Sequence, residues 1–264
     1  MKALTIATSN RNRLDLDSDS TKLFIKSLEN QINKDFEVVI ADGGSNNVEE
    51  LDVFFKLRDK EPQIRIVKFP IGETFERARL NNVGVRNANT SYVMTTDVDM
   101  FFAKDFIEEL LQTVSEKYFV ESRTLYWKGP IANKIYQGII DPFADLDKCK
   151  IGRIKKSTTA GGCQCAHMDL WNKVRGFDEN FVGWGSEDYD LLTRMGRVAE
   201  KVIWLGQSIE TIKVFHQPHP KPNIQYDLEC QEKNKKLLNM SQKIRKHISV
   251  NSKGWGGILE ADNV

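Results

Sequence analysis

The sequence predicts an α/β fold with a mostly parallel central sheet, helices on both faces of that sheet, and a smaller subregion in the second half. Short segments rich in Val, Ile and Thr alternate with amphipathic segments; the former lie at 4–8, 36–41, 64–69 and 92–96, the latter at 21–30, 49–57 and 74–87. Strict alternation of strand and helix is typical of a parallel sheet with right-handed crossovers.

The second half is less regular. Its segments predict helices at 105–117, 170–174 and from 187 onward, strands at 118–121, 123–126 and 159–166, and a helical tail at 225–247. The hydrophobic spacing of residues 129–156 is irregular, so no element is assigned there. We expect one domain over 1–220, with halves 1–100 and 101–220, and a C-terminal extension over 221–264.

Composition indicates an ordinary soluble globular protein. Apolar residues make up 40% of the 264 residues, charged residues 28%, and the net charge is +1, so no nucleic-acid partner is expected. No apolar run approaches the roughly 20 residues needed to span a bilayer. The first apolar segment is too short for a signal peptide, which for a complete chain predicts a cytoplasmic location. The four cysteines fit no common zinc spacing and are expected as reduced thiols in or near the core.

Residues 91–102 contain the most informative motif, because a short strand there ends in Asp97-Val98-Asp99. In a strand, residues two apart point to the same face, which places the two carboxylates side by side. Such carboxylates repel each other, and a divalent ion such as Mg²⁺ or Mn²⁺, which often shares substrate phosphates, would relieve the repulsion. The alternative is an ordinary turn, in which Asp is common.

Three polar segments follow predicted strands, at 8–13, 42–45 and 97–99. Ligands of open α/β sheets bind beyond the carboxyl ends of the strands. We therefore expect these three segments to meet in one crevice.

Two further segments carry polar side chains of functional type. Gly-Trp-Gly-Ser-Glu-Asp (183–188) places an aromatic ring on a loop before an acidic helix start, where Ser186 is a good N-cap. An aromatic face can pack on a sugar ring, whereas the alternative is a helix start that happens to be acidic. His216 and His219 follow a predicted strand and are candidate metal ligands, although such histidines are often structural. The Lys-rich tail is either a solvated face or a contact with an anionic membrane surface.

These motifs resemble those of GT-A fold glycosyltransferases. The resemblance rests on Asp-Gly-Gly-Ser (42–45), the Arg-rich segment 75–84, Asp-Val-Asp (97–99), the 183–188 motif and the late His216 segment. The second half is similar to the galactosyltransferase-like region of chondroitin-polymerising enzymes, β-1,4-galactosyltransferases and polypeptide GalNAc-transferases. The resemblance covers about residues 4–219.

The resemblance implies a Mn²⁺ or Mg²⁺ cofactor, a UDP-sugar donor, and a glycan or lipid-linked glycan as acceptor. It implies that the nucleotide-sugar is bound by Thr8, Asn10, Arg11, Asp42, Arg79, Asn82 and Asp97. The metal would be bound by Asp99 and by His216, with His219 as the alternative ligand.

The resemblance also implies the acceptor side of the site. Trp184, Gly161 and Gly162 would contact the sugar or the acceptor. Asp188 would be the general base, since a carboxylate can take the proton of the attacking hydroxyl, and Glu187 would hold a sugar. Two alternatives stay open: a sugar nucleotidyltransferase, which would want a Gly-rich phosphate loop after the first strand, and a non-catalytic sugar-binding module of the same fold.

Overall fold

The first half of the chain forms the expected alternation of strands and helices. The computed structural model describes residues 2–154, 162–183, 185–219, 224–244 and 246–259. Its first elements, in order, are β1 (Leu4–Asn10), α1 (Asp19–Glu29), β2 (Phe36–Asp42), α2 (Val48–Leu57), β3 (Ile64–Lys68), α3 (Arg77–Arg86) and β4 (Tyr92–Asp97). These four strands run parallel to one another, and Thr8 of β1 lies between Ile40 and Thr96.

The second half completes the large sheet and adds a smaller one. Its elements, in order, are β5 (Met100–Phe102), α4 (Phe106–Thr113), β6 (Tyr118–Ser122), β7 (Thr124–Trp127), α5 (Gly129–Tyr136), a 3₁₀ helix (Leu146–Cys149), β8 (Gly152–Ile154), β9 (Cys163–His167), α6 (Met168–Val174), α7 (Glu187–Val198), β10 (Lys201–Leu205), β11 (Val214–His216), α8 (Ile224–Lys243), β12 (Gly254–Trp255) and β13 (Ile258–Leu259).

The large sheet has seven strands in the order β10-β6-β9-β4-β1-β2-β3, and β9 runs antiparallel to both of its neighbours. The smaller sheet has four strands, in the order β5-β11-β7-β8. The predicted α/β fold with a mostly parallel sheet is confirmed.

Both faces of the large sheet are covered by apolar side chains, because successive strand residues point to opposite sides. Ile6, Met94 and Cys165 belong to one core, and Ala7 and Ala166 belong to the other. Burial strongly raises the pKa of Cys165, which keeps this thiol protonated, as expected for a core cysteine.

Helix α3 begins at Arg77, three residues later than the sequence predicts. The preceding residues are used elsewhere: Phe75 accepts a hydrogen bond from the backbone N–H of Gly183 at 3.0 Å, and Glu76 forms a β-bridge with Gly183. The start of the helix is therefore joined to the 183–188 segment.

The Gly-rich segment 254–257 is expected from its sequence to be flexible, and this expectation is wrong. Trp255 is buried in the core beneath α6 and α7, and Arg86 of α3 lies 5.0 Å above its ring. Gly256 lies so close to Asn82 that a Cβ atom would be 2.6 Å from its carbonyl oxygen. Among the helices described, none is long and apolar enough to cross a bilayer.

Candidate active site

A single arginine joins the two acidic motifs of the sequence. The side chain of Arg77, at the start of α3, is buried. Its Nη2 lies 2.8 Å from Asp97 at the end of β4, and its Nη1 lies 2.7 Å from Glu187 and 2.9 Å from Asp188 at the start of α7. The carboxyl end of β4 and the acidic start of α7 therefore face one crevice.

This cluster holds more carboxylates than cations, so its protonation depends on burial. Burial and, to a smaller extent, the charge of Asp188 raise the pKa of Glu187 to about 7, although Arg77 opposes both effects. Burial also raises the pKa of Asp188, against the lowering effect of Arg77. For Arg77, burial lowers the pKa, but the three carboxylates outweigh it and hold the pKa well above its ordinary value. The guanidinium thus stays charged.

The loop before α7 has an unusual backbone. Gly183, Gly185 and Ser186 all have positive φ angles, and Ser186 has φ 77°. Ser186 occupies the N-cap position as expected, but its side chain makes no capping hydrogen bond. The expectation that Ser186 is a good N-cap residue is therefore wrong. Trp184 and Gly161, both predicted to contact the sugar or acceptor, lie outside the described residues.

A second corner of the crevice brings Asp99 together with both candidate histidines. Nε2 of His216 lies 3.5 Å from Oδ1 of Asp99, and Nε2 of His219 lies 3.5 Å from Oδ2. One ligand atom from each of the three residues lies within 4.8 Å of the others. Strands β5 and β11 pair His216 with Met100, and the N–H of Gln217 donates to the carbonyl of Asp99 at 2.9 Å.

The donor set fits a divalent cation. Oδ1 of Asp99 is buried and accepts no hydrogen bond from the described residues, which leaves it available to a metal ion. One carboxylate and two imidazoles suit Mn²⁺ better than Mg²⁺, which prefers oxygen ligands. The sequence favoured His216 over His219, whereas the structure places both beside Asp99.

Tyr126 lies between the two corners and was not found from the sequence. Its ring stacks on His216 with centroids 4.6 Å apart and an angle of 19° between the planes. Burial raises the pKa of Tyr126 strongly, and the charges of Asp97, Asp188 and Asp99 raise it further. Because three nearby carboxylates oppose its ionisation, the phenol of Tyr126 stays neutral and can act as a hydrogen-bond donor.

The residues predicted to bind the nucleotide after β1 and β2 form a compact polar group. Asp42 is buried, and one of its oxygens accepts from Asn10 at 2.7 Å and from the Ser45 hydroxyl. These bonds order the 42–45 loop. Arg11 is partly exposed and donates to the carbonyl of Gly72, and Thr8 is buried within β1. Their contact with a nucleotide stays a prediction.

Arg79 and Asn82 of α3 are placed differently from Arg77. Because an α-helix turns by about 100° per residue, residues two apart point to nearly opposite sides. Arg79 pairs with Glu76, and buried Asn82 donates to the carbonyl of Phe177 at 2.9 Å. Both side chains have protein partners, and their predicted role toward the nucleotide-sugar is untested.

Gly162, also predicted to contact the sugar or acceptor, is buried immediately before β9. A Cβ atom at this position would lie 1.9 Å from the hydroxyl of Thr124, so packing alone requires glycine. Its carbonyl accepts from the Thr96 hydroxyl at 2.9 Å. Its predicted contact with a sugar is untested.

Comparison with known proteins decides the family. The profile of glycosyl transferase family 2 matches residues 5–155, more than half of the chain. The chain belongs to this family. A second profile, described as the N-terminal domain of galactosyltransferase, matches residues 143–219, which include the 183–188 motif and both histidines.

Curated relatives of this family 2 chain are distant and longer. An uncharacterized glycosyltransferase of Rickettsia conorii is 32% identical over 120 residues, which cover 44% of this chain and 19% of the relative. Chondroitin sulfate synthase 3 of Mus musculus is 22% identical over 206 residues, covering 69% of this chain and 20% of the synthase. The chain spans about a fifth of the length of these relatives.

Solved structures of the S. aureus protein TarS share the fold. TarS 1–349 in complex with UDP-GlcNAc has a TM-score of 0.63 and 14% identity, over 91% of this chain and 66% of that chain. The same fragment in complex with UDP has a TM-score of 0.58 and 16% identity, over 91% and 65% of the two chains. The predictions of a GT-A fold and of a glycosyltransferase are confirmed at the level of fold and family.

Proposed function

We propose that this family 2 chain transfers a sugar from a UDP-sugar to a hydroxyl group of a glycan, in polysaccharide or surface-glycan synthesis. The sugar would be GalNAc, Gal, GlcNAc or GlcA. The observation that carries the proposal is the position of Arg77, which links Asp97 to both Glu187 and Asp188. A donor bound at Asp99 and an acceptor bound at Asp188 would then meet in one crevice.

The donor side of the proposal rests on the Asp99 corner. Asp99, His216 and His219 would hold a Mn²⁺ or Mg²⁺ ion, which supplies positive charge to neutralise the leaving diphosphate. Tyr126 stacks on His216 and so restricts the orientation of that ring. TarS has been crystallised with UDP-GlcNAc and with UDP, which supports a uridine nucleotide as the donor of this chain as well.

The acceptor side rests on the start of α7. Asp188 would act as general base and take the proton of the attacking hydroxyl, while its hydrogen bond from Arg77 fixes the orientation of the carboxylate. Its raised pKa makes it a stronger base than an exposed aspartate. Glu187, with a pKa of about 7, would bind a sugar hydroxyl in either protonation state. Direct attack with one base would invert the anomeric carbon.

Asp99→Ala tests the donor side. The substitution removes the carboxylate of the Asp/His cluster, so we expect Mn²⁺-dependent binding of UDP to be lost while any metal-independent binding persists. Titration calorimetry with UDP, in Mn²⁺ and in EDTA, measures this. Asp59→Ala, at an exposed position, is the matched control and should bind as the wild type does. Equal Mn²⁺-dependent binding by the Asp99 variant would remove Asp99 from the metal site.

Asp188→Asn tests the base. We expect UDP-sugar binding within about 3-fold of wild type and transfer reduced by roughly 10²-fold or more, because the amide cannot accept the acceptor's proton. A screen of UDP-GalNAc, UDP-Gal, UDP-GlcNAc and UDP-GlcA identifies the donor first, and UDP release then reports the rate. Near-normal transfer by this variant would assign the base elsewhere. A wild type that binds UDP but transfers from no donor would favour a non-catalytic binding module.

A further inference from the structure

The C-terminal segment 233–259 has an unusual charge. It contains seven Lys and Arg residues and no Asp or Glu. The whole chain has 38 basic and 37 acidic residues, so 31 basic and 37 acidic residues are left outside this segment. The segment is therefore strongly basic for its length, although Asp227, Glu229 and Glu232 lie just before it on α8.

The inner side of α8 is fixed to the body of the protein. Asn234 is buried and donates to the carbonyl of Val182 at 3.1 Å, and the hydroxyl of Ser241 donates to buried Asp190 of α7. Arg197 of α7 donates to the carbonyl of Ser241. These contacts define which side of the helix faces solvent.

The outer side of α8 combines cations with apolar side chains. Lys233, Lys236, Met240 and Lys243 follow each other at spacings of three and four residues, so they lie on one stripe, with Ile244 beside it. The three lysines are exposed, and Met240 and Ile244 are 60% and 52% exposed. Isolated exposed apolar residues are common, but here they lie among lysines on a single surface, which also carries the exposed Glu229 and Glu232 near its N-terminal end.

We propose that this outer side of α8 docks the protein on an anionic lipid surface. Lysines are attracted to anionic headgroups, and apolar side chains between them gain free energy by entering the headgroup region. An anionic polysaccharide would also attract the lysines but would gain little from Met240 and Ile244. The apolar pair therefore favours lipid over a soluble polyanion.

Docking through α8 also fits the proposed transfer reaction, and the inference about the acceptor rests on that proposed function. Asn234 of α8 contacts Val182, and a Cβ atom on Gly185 would lie 3.4 Å from Gln231 of α8. Helix α8 thus lies against the loop that leads to Asp188. Docking through α8 would bring the acceptor side of the crevice close to the lipid surface, which fits a lipid-linked glycan as the acceptor.

Vesicle sedimentation tests the docking without any sugar nucleotide, so its result is separate from the outcome of the transfer assays. We expect the wild type to bind vesicles of phosphatidylglycerol and phosphatidylcholine, to bind pure phosphatidylcholine at least 10-fold more weakly, and to be released by salt. The triple variant Lys233→Glu, Lys236→Glu, Lys243→Glu should lose at least 10-fold in vesicle affinity. The matched control replaces the exposed residues Lys104, Lys128 and Lys134 by Glu and should stay within 2-fold of wild type.

A second variant separates lipid from polyanion. Met240→Ser with Ile244→Ser keeps every charge and should weaken vesicle binding several-fold, with unchanged binding to dextran sulfate. Circular dichroism and UDP binding of each variant establish that it is folded. The proposal is overturned if the wild type does not bind anionic vesicles, or if both triple variants lose the same affinity for them. It is also overturned if the Met240 and Ile244 substitutions have no effect on vesicle binding.

Discussion

Arg77 is the residue on which the candidate site depends. Its guanidinium is shared among Asp97, Glu187 and Asp188, and no single carboxylate neutralises it alone. Because the cluster is buried and has an excess of acids, at least one acid is driven toward its protonated form. Glu187, with a pKa of about 7, is that acid.

Glu187→Gln tests this at the level of stability. The folded pKa of Glu187 lies above its ordinary value of 4.5, so the folded state binds a proton that the unfolded state releases between pH 4.5 and about 7. The wild type therefore loses stability as pH rises through that range, and the variant does not. Between pH 4.5 and 8, we expect the free energy of unfolding of the variant to rise relative to that of the wild type by on the order of 1–3 kcal/mol.

Urea unfolding at several pH values measures this difference. Glu50→Gln is the control, because Glu50 is exposed. The free energy of unfolding of this variant should follow that of the wild type at every pH. A constant difference between Glu187→Gln and wild type across the whole range would show that Glu187 is already ionised at low pH.

The sequence predicted residue types better than side-chain directions. Asp97, Asp99, Glu187 and Asp188 could be found because carboxylates at strand ends and helix starts are visible as short motifs. Arg77 was missed because α3 is polar on more than one side, so the rotation of the helix is not readable from its spacing. The choice between His216 and His219 was likewise open, because only the folded loop shows that both reach Asp99.

At the scale of elements, α7 is held by a buried polar cluster as well as by apolar packing. Asp190 is fully buried and accepts from Nε of Arg194 at 2.7 Å and from the hydroxyl of Ser241 on α8. Arg194 in turn donates to the carbonyls of Val174 and Gly176 at the end of α6. Three helices are joined through this one ion pair.

Asp190→Asn should therefore destabilise the protein by about 3 kcal/mol or more, because it leaves the buried guanidinium of Arg194 without its counter-charge. Chemical denaturation measures the effect. Asp169→Asn is the control, since Asp169 is an exposed residue of α6, and we expect it to change stability by less than about 0.5 kcal/mol. Comparable stability of the two variants would mean that Arg194 is balanced by other groups.

Elements with strong periodicity were predicted, and those shaped by distant contacts were not. The helices and strands before residue 100 follow from their apolar spacing. Residues 129–154 form α5, a 3₁₀ helix and β8, and side chains of α5 and of the 3₁₀ helix pack with Trp127 in a separate apolar cluster. Contacts within that cluster determine these short elements. Each element is too short to show a recognisable hydrophobic periodicity in the sequence.

At the scale of the whole molecule, residues 251–256 contact both halves of the chain. Arg175 donates to the carbonyl of Asn251, the N–H of Gly256 donates to Glu179 at 2.8 Å, and Trp255 is buried beside α3. Glycines in the sequence suggested mobility, but Gly256 and Gly257 have positive φ angles, and a Cβ atom would clash with the backbone of Asn82 at Gly256 and with the ring of Phe69 at Gly257. The sequence alone does not show which neighbouring residues leave room only for glycine at these positions.

Trp255→Ala tests whether this segment stabilises the domain. Removal of a fully packed indole should cost about 3–5 kcal/mol of unfolding free energy. Thermal or urea unfolding measures the loss, and Ile139→Ala, which truncates an exposed side chain, should have almost no effect. Wild-type stability of the Trp255 variant would mean that the domain folds independently of its C-terminal hairpin.

The pairing of β5 with β11 has a consequence for how such enzymes diverge. Main-chain bonds between these two short strands set the spacing of Asp99 and His216, independently of the side chains that fill the large sheet. Substitutions in the loops after β1 and β2, or around α8, can therefore accumulate while the spacing of Asp99 and His216 stays unchanged.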